Sequence, residues 1–118
     1  MQFLTLFTPA EPPKGPPDQA HMAKMLQLIE DMSRSGVLVA TGGIGSRNTG
    51  MKVTRRKGEF TVEEGPVAGS SLMPAGGFAI LEVSSREELV RHIKAFQDVA
   101  GDGSNEAIQL MGGPPPQP

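Results

Sequence analysis

The sequence predicts an α+β domain in which two amphipathic helices cover one face of a mainly antiparallel sheet. Three observations predict it. Two segments repeat apolar residues at helical spacing, short β-compatible runs flank each of them, and the pieces follow the order β α β β β α β. The simplest arrangement with that order is ferredoxin-like.

Each element has a local reason. Phe3 to Phe7 is short, apolar and β-compatible and ends near Pro9, which reads as a first strand. From Pro9 to Pro17 the density of proline excludes helix and central strand and leaves a stiff surface connector. Asp18 is placed to N-cap a helix whose stripe is Met22, Met25, Leu26, Ile29 and Met32, and Gly36 stops it. Residues 37–41 read as a second strand, and 51–56 with 59–63 as a hairpin about Lys57-Gly58. A strand over 77–83 follows a long loop that runs from Glu63 to Phe78. Ser85-Arg86-Glu87-Glu88 has the capping-box pattern, and Leu89, Ile93, Phe96 and Ala100 make the stripe of a second helix. Residues 106–111 read as the last strand. One domain therefore spans 1–111, and the Pro-rich 112–118 is a flexible tail with nothing to bury.

Alternation along the strands adds an expectation about assembly. Phe78 and Ile80 oppose Ala79, Leu81 and Val83 across one strand, as Phe3 and Phe7 oppose Leu4 and Leu6 in another. Two helices bury only one sheet face. The second apolar face calls for a second copy, so a homodimer packed sheet to sheet is expected.

Composition narrows the function classes. A net charge of −2 over 118 residues gives no steering toward nucleic acid or an anionic membrane, and a small-molecule ligand is the natural partner. No apolar run approaches a membrane span, and the N-terminal residues lack the basic lead of a signal peptide, so a cytoplasmic protein is expected. Without cysteine there is no disulfide, thiolate nucleophile or cysteine metal site. Seven Met against five Phe and no Trp or Tyr imply a core filled by flexible side chains.

Few stretches carry chemistry. Gly45 to Lys52 looks superficially like a phosphate loop, but Lys does not follow the last Gly directly and a strand, not a helix, comes after. Gly42-Gly43-Ile44-Gly45 reads as a flexible turn. Arg47, Lys52, Arg55, Arg56 and Lys57 form a basic run that is either a solvated hairpin or a contact for an anionic substrate; Arg55 shares its face with Val53. His21 falls in the first turn of the first helix, where the dipole disfavours a proton on the ring. There it either serves as a neutral acid/base group or packs at the helix start. Glu63 and Glu64 are local carboxylates that folding can deliver to it. His92, beside the stripe of the second helix, reads as a surface residue. Two histidines without an adjacent ligand pair give no metal site, and no cofactor motif is present.

Taken together, Asp18-Gln19-Ala20-His21-Met22, the run from Ser35 to Gly43, Val62-Glu63-Glu64-Gly65-Pro66 and the run from Gly76 to Val83 resemble the YCII-related family in its DGPF subgroup. The resemblance implies a dimeric α+β barrel of ferredoxin-like protomers. Glu64-Gly65-Pro66-Val67 stands where the subgroup has Asp-Gly-Pro-Phe, and Gly69-Ser70-Ser71-Leu72 replaces a charged stretch. His21 matches the family's helix histidine by position, whereas Ser35 stands where relatives carry its acid. The implied function is acid/base chemistry without a cofactor, of isomerase or lyase type, on a small anionic or cyclic metabolite. His21 and Glu64 would be catalytic, with Arg47 and Arg55 binding substrate. The alternative is a metabolite-binding or regulatory module, since subgroup members are often encoded beside sigma-factor genes.

Overall fold

The computed structural model describes residues 1–11, 15, 18–70 and 76–112. The chain runs β1 (Gln2–Pro9), α1 (Gln19–Arg34), β2 (Leu38–Gly43), a 3-10 turn (Arg47–Thr49), β3 (Met51–Arg56), β4 (Glu59–Glu64), β5 (Gly77–Glu82), α2 (Arg86–Ala100) and β6 (Gly103–Gln109). That is one strand more than the expected string, because the hairpin supplies two. The last strand also starts earlier than expected, since Gly103 and Ser104 already pair with Pro9 and Thr8. Most of the proline connector, residues 71–75 of the long loop and residues 113–118 of the tail lie outside the described residues.

Four strands form one sheet in the order β2-β5-β1-β6, each neighbouring pair antiparallel. With the hairpin set aside, this is the ferredoxin-like order. β3 and β4 form a two-stranded sheet of their own, so the hairpin is an insertion between β2 and β5 and not part of the main sheet. Its turn places both Lys57 (φ 52°) and Gly58 (φ 85°) in the left-handed region, as a two-residue turn matched to strand twist requires.

Register separates the two faces. Phe3, Thr5 and Phe7 of β1 align with Leu81, Ala79 and Gly77 of β5 and with Gln109, Ala107 and Asn105 of β6. This face looks toward the helices. Phe3, Val37, Leu81, Val83 and Leu89 are its buried core, with Met32, Leu38 and Ile93 packed against them. Complete burial of a Phe such as Phe3 is worth about 1.5–3 kcal/mol, and the Arg86 guanidinium lies over its ring at 5.8 Å. The other face carries Leu4, Leu6, Phe78, Ile80 and Ile108 with no helix of the described residues over it, and Ile108 is 66% exposed.

Gly42 and Gly43 belong to β2 and are not a flexible turn. They pair with Phe78 and Gly77, and a Cβ on Gly42 would come within 2.9 Å of the Phe78 ring. The glycine is therefore what lets that ring lie across the strand.

Both helices start as their sequences dictate. Oδ1 of Asp18 accepts a hydrogen bond from the His21 amide at 2.7 Å, and Oγ of Ser85 accepts one from Glu88 at 3.1 Å. The stripe of α1 is rotated from the expected one. Met22 and Leu26 are exposed, whereas His21, Met25, Leu28, Ile29 and Met32 face inward. Both sets fit a helical period, and packing against α2 and β2 selects the second.

Candidate functional site

A cavity of about 410 Å³ lies between the helices and the inner sheet face. Its floor is Thr5 and Phe7 of β1, Leu38 and Thr41 of β2, and Ala79 of β5; Met25, Leu28 and Ile29 of α1 with Ile93 and Phe96 of α2 form the roof. The space exists because small residues occupy the middle of the floor while aromatics prop one side. Phe7 and Phe96 meet edge to face at 5.3 Å between ring centres. Gly76 and Gly77, where the long loop re-enters the sheet, complete the rim. There the Gly76 amide donates to the Phe7 carbonyl at 2.6 Å, and its own carbonyl accepts from Ile44 at 3.1 Å.

The hydroxyls of the floor are already engaged. Thr5 donates to the Ala79 carbonyl at 3.3 Å and Thr41 to that of Phe78 at 2.9 Å. Three other polar side chains line the cavity: His21, His92 and Asn105. Both histidines of the chain thus stand in its wall, one on each helix. Asn105 faces Phe7 across the β1-β6 ladder, and its Nδ2 is buried with no acceptor among the described residues. Burying such a donor unmet costs about 1–3 kcal/mol.

His92 is backed by a carboxylate. Its Nε2 lies 3.6 Å from Oε1 of Glu88, one turn earlier on α2. Oε2 of Glu88 accepts hydrogen bonds from both the amide and the hydroxyl of Ser84, each at 2.6 Å. The capping box is thereby displaced by one residue, since Glu88 reaches back to Ser84 and not to Ser85. The two bonds from Ser84, hydroxyl first, hold the Glu88 carboxyl below its ordinary pKa, with His92 a smaller contributor.

Of the residues expected to form a site, His21 stands in the cavity wall and the other three do not line it. Glu64 is exposed as the last residue of β4, opposite Met51. Gly65 then turns at φ 80° and its amide donates to the Gly50 carbonyl at 3.1 Å, so Glu64-Gly65-Pro66 closes the hairpin. Arg47 opens the 3-10 turn, and Arg55 is exposed opposite Phe60 on the hairpin face that also carries Met51, Val53 and Val62. His92 does not lie on the outer surface. Two signals mark it in the sequence: the 3 and 4 spacing of Leu89, His92 and Phe96, and the Glu88 four residues before it. Asn105 gave no such signal. Among the described residues no group of three or more metal-ligating side chains gathers, and no helix is long and apolar enough to cross a membrane.

Fold and cavity together define a small α+β protein of ferredoxin-like topology with one imidazole on each helix lining a half-open, mostly apolar cavity. The chain belongs to the YCII-related domain family, whose model matches residues 1–111. No curated protein matches it at a significant level. Among solved structures it is similar to CutA from the phytopathogenic bacterium Xylella fastidiosa, at 9% identity and a TM-score of 0.42, over 97% of this chain and 88% of that one.

Proposed function

We propose that this YCII-related protein carries out acid/base chemistry without a cofactor, of isomerase or lyase type, on a small metabolite held in the cavity. His21 is a catalytic group in the wall of that cavity. The observation that carries this reading is the placement of the His21 imidazole in the wall of a half-open cavity of about 410 Å³ that is otherwise mostly apolar. That volume suits a ligand of one or two rings, and imidazole takes and returns a proton near neutral pH. The Glu64-Gly65-Pro66 turn supports placement in the DGPF subgroup. The open sheet face of Leu4, Leu6, Phe78, Ile80 and Ile108 supports a homodimer packed sheet to sheet.

The test is a metabolite library screened by thermal shift, followed by turnover assays on the binders, with lactones and phenols included. His21→Ala is expected to abolish turnover while assembly is kept. Unchanged turnover in that variant overturns the assignment. The apolar walls also favour a second reading, a metabolite-binding or regulatory module. Saturable thermal stabilisation by a metabolite that is recovered unaltered would decide for it.

A further inference from the structure

The charge inventory of the cavity is unusual for a site meant to hold an anion. Among the described residues lining it there is no Lys, Arg, Asp or Glu. A carboxylate or phosphate entering such a space would give up part of its hydration and find no Lys or Arg, only two imidazoles, threonine hydroxyls that already donate to backbone carbonyls, and one amide. A neutral molecule with an apolar body and one polar end meets no such penalty. The two histidines are also unequal. His92 has Glu88 at 3.6 Å from its Nε2, and that carboxylate is fixed by two hydrogen bonds from Ser84, so an imidazolium formed at His92 has a counter-charge already in place. His21 has its backbone amide bonded to Asp18, and no carboxylate contact to its ring is found among the described residues.

We infer that the cavity takes a small neutral molecule with an enolisable carbonyl or a phenol, and that His92, oriented by Glu88, is the catalytic base while His21 donates a hydrogen bond to the ligand's oxygen. The inference rests on the reading that the cavity is the reaction site. With Nε2 turned to Glu88, Nδ1 of His92 is the nitrogen left to accept a proton. In the step, the C–H bond beside the carbonyl breaks and its proton goes to Nδ1, while the electron pair moves through the new C=C bond onto the oxygen, held by the His21 N–H. Collapse of the enolate forms a C–H bond at the conjugated carbon with the proton carried on Nδ1, or a C–D bond at the same carbon once a solvent deuteron has replaced that proton on the ring, and His92 returns to neutral. The product is an isomer or the exchanged substrate. Glu88 does not touch the ligand; it is a positioning residue.

The test uses the full chain and the probe 2-tetralone, a neutral two-ring ketone, in D₂O. Proton NMR follows exchange of its α hydrogens, and histidine ring shifts report binding. Wild type is expected to shift the rings of both histidines and to speed exchange at least about 100-fold over the same concentration of free imidazole. His92→Gln should bind the probe within threefold and lose the acceleration, and Glu88→Gln should lose about tenfold in rate with binding unchanged. The anion 2-naphthoate should leave both rings unshifted. Full acceleration in His92→Gln, with loss only in His21→Gln, overturns the role of His92 and leaves the cavity as the reaction site. Tighter binding of 2-naphthoate than of 2-tetralone overturns the substrate class. Ring shifts in wild type without acceleration overturn the chemistry and favour the binding module. Absence of shifts and of acceleration overturns the inference together with the site. Ring shifts in wild type and the Glu88→Gln rate keep the result decisive if His92→Gln folds poorly.

Discussion

Nε2 of His92 lies 3.6 Å from Oε1 of Glu88, while the second oxygen of that carboxylate takes two 2.6 Å hydrogen bonds from Ser84. The start of α2 is therefore tied to the ring that faces the cavity. These bonds favour the charged carboxylate, so the folded pKa of Glu88 lies below its ordinary value. A depressed carboxyl adds stability above its unfolded pKa and loses it as pH falls through the folded value. Wild type is thus expected to be more stable than Glu88→Gln at pH 7, with the gap closing as pH drops below about 4.3. Thermal melts of both proteins from pH 7 to 3 check this; a gap that does not narrow contradicts it.

Removing the cap of α1 tests the element that presents His21. Asp18→Ala deletes the acceptor of the 2.7 Å bond from the His21 amide. It is expected to cost about 1 kcal/mol, measured by urea denaturation, and to broaden the His21 ring signal as the first turn frays. A loss under about 0.3 kcal/mol would mean that water replaces the cap fully.

Gly42→Ala tests the packing at the β2 end of the site. The added Cβ would sit 2.9 Å from the Phe78 ring, so the ring or the strand must shift. The expected loss is about 1–3 kcal/mol. Phe78→Leu in the same background should restore part of it, which a double-mutant cycle by denaturant titration reads directly.

Asn105→Leu tests whether the unmet amide is kept for a ligand. Replacing a buried donor that has no acceptor among the described residues is expected to raise stability by about 1 kcal/mol while weakening binding of any ligand found for the cavity. Lower stability in this variant would show that the amide has a partner in solution.

Leu6→Asp tests the proposed sheet-to-sheet homodimer. Leu6 sits mid-strand on the open face, paired with Phe78. Light scattering is expected to give a dimer for wild type and a monomer for the variant, with far-UV circular dichroism unchanged. A monomeric wild type at 100 μM would exclude the assembly.

Much of the fold was legible because local rules and tertiary structure agree. Asp18 and Ser85 cap where short polar residues precede helical stripes, and Lys57-Gly58 turns where two positive φ angles are needed. The two-sided strands were legible as well, since period two leaves no other place for Leu4 and Leu6 once Phe3 and Phe7 face inward. The site was only half legible. His21 was recognised from its position at a helix start, but its inward direction required the rotation of α1 that exposes Met22 and Leu26. His92 read as a surface residue because one helix face can border both water and a cavity.

The sequence by itself determined both helices, the segments that form strands and the presence of two apolar sheet faces, since caps, turns and periodicities act within a few residues. Only the tertiary structure decided that both histidines share one apolar cavity, that Glu88 and Ser84 back one of them, and that Glu64, Arg47 and Arg55 do not line it. The physical reason is that a cavity is what packing leaves unfilled. It depends on how helices seat on a sheet and on which small residues meet across strands, and neither is encoded in any one segment.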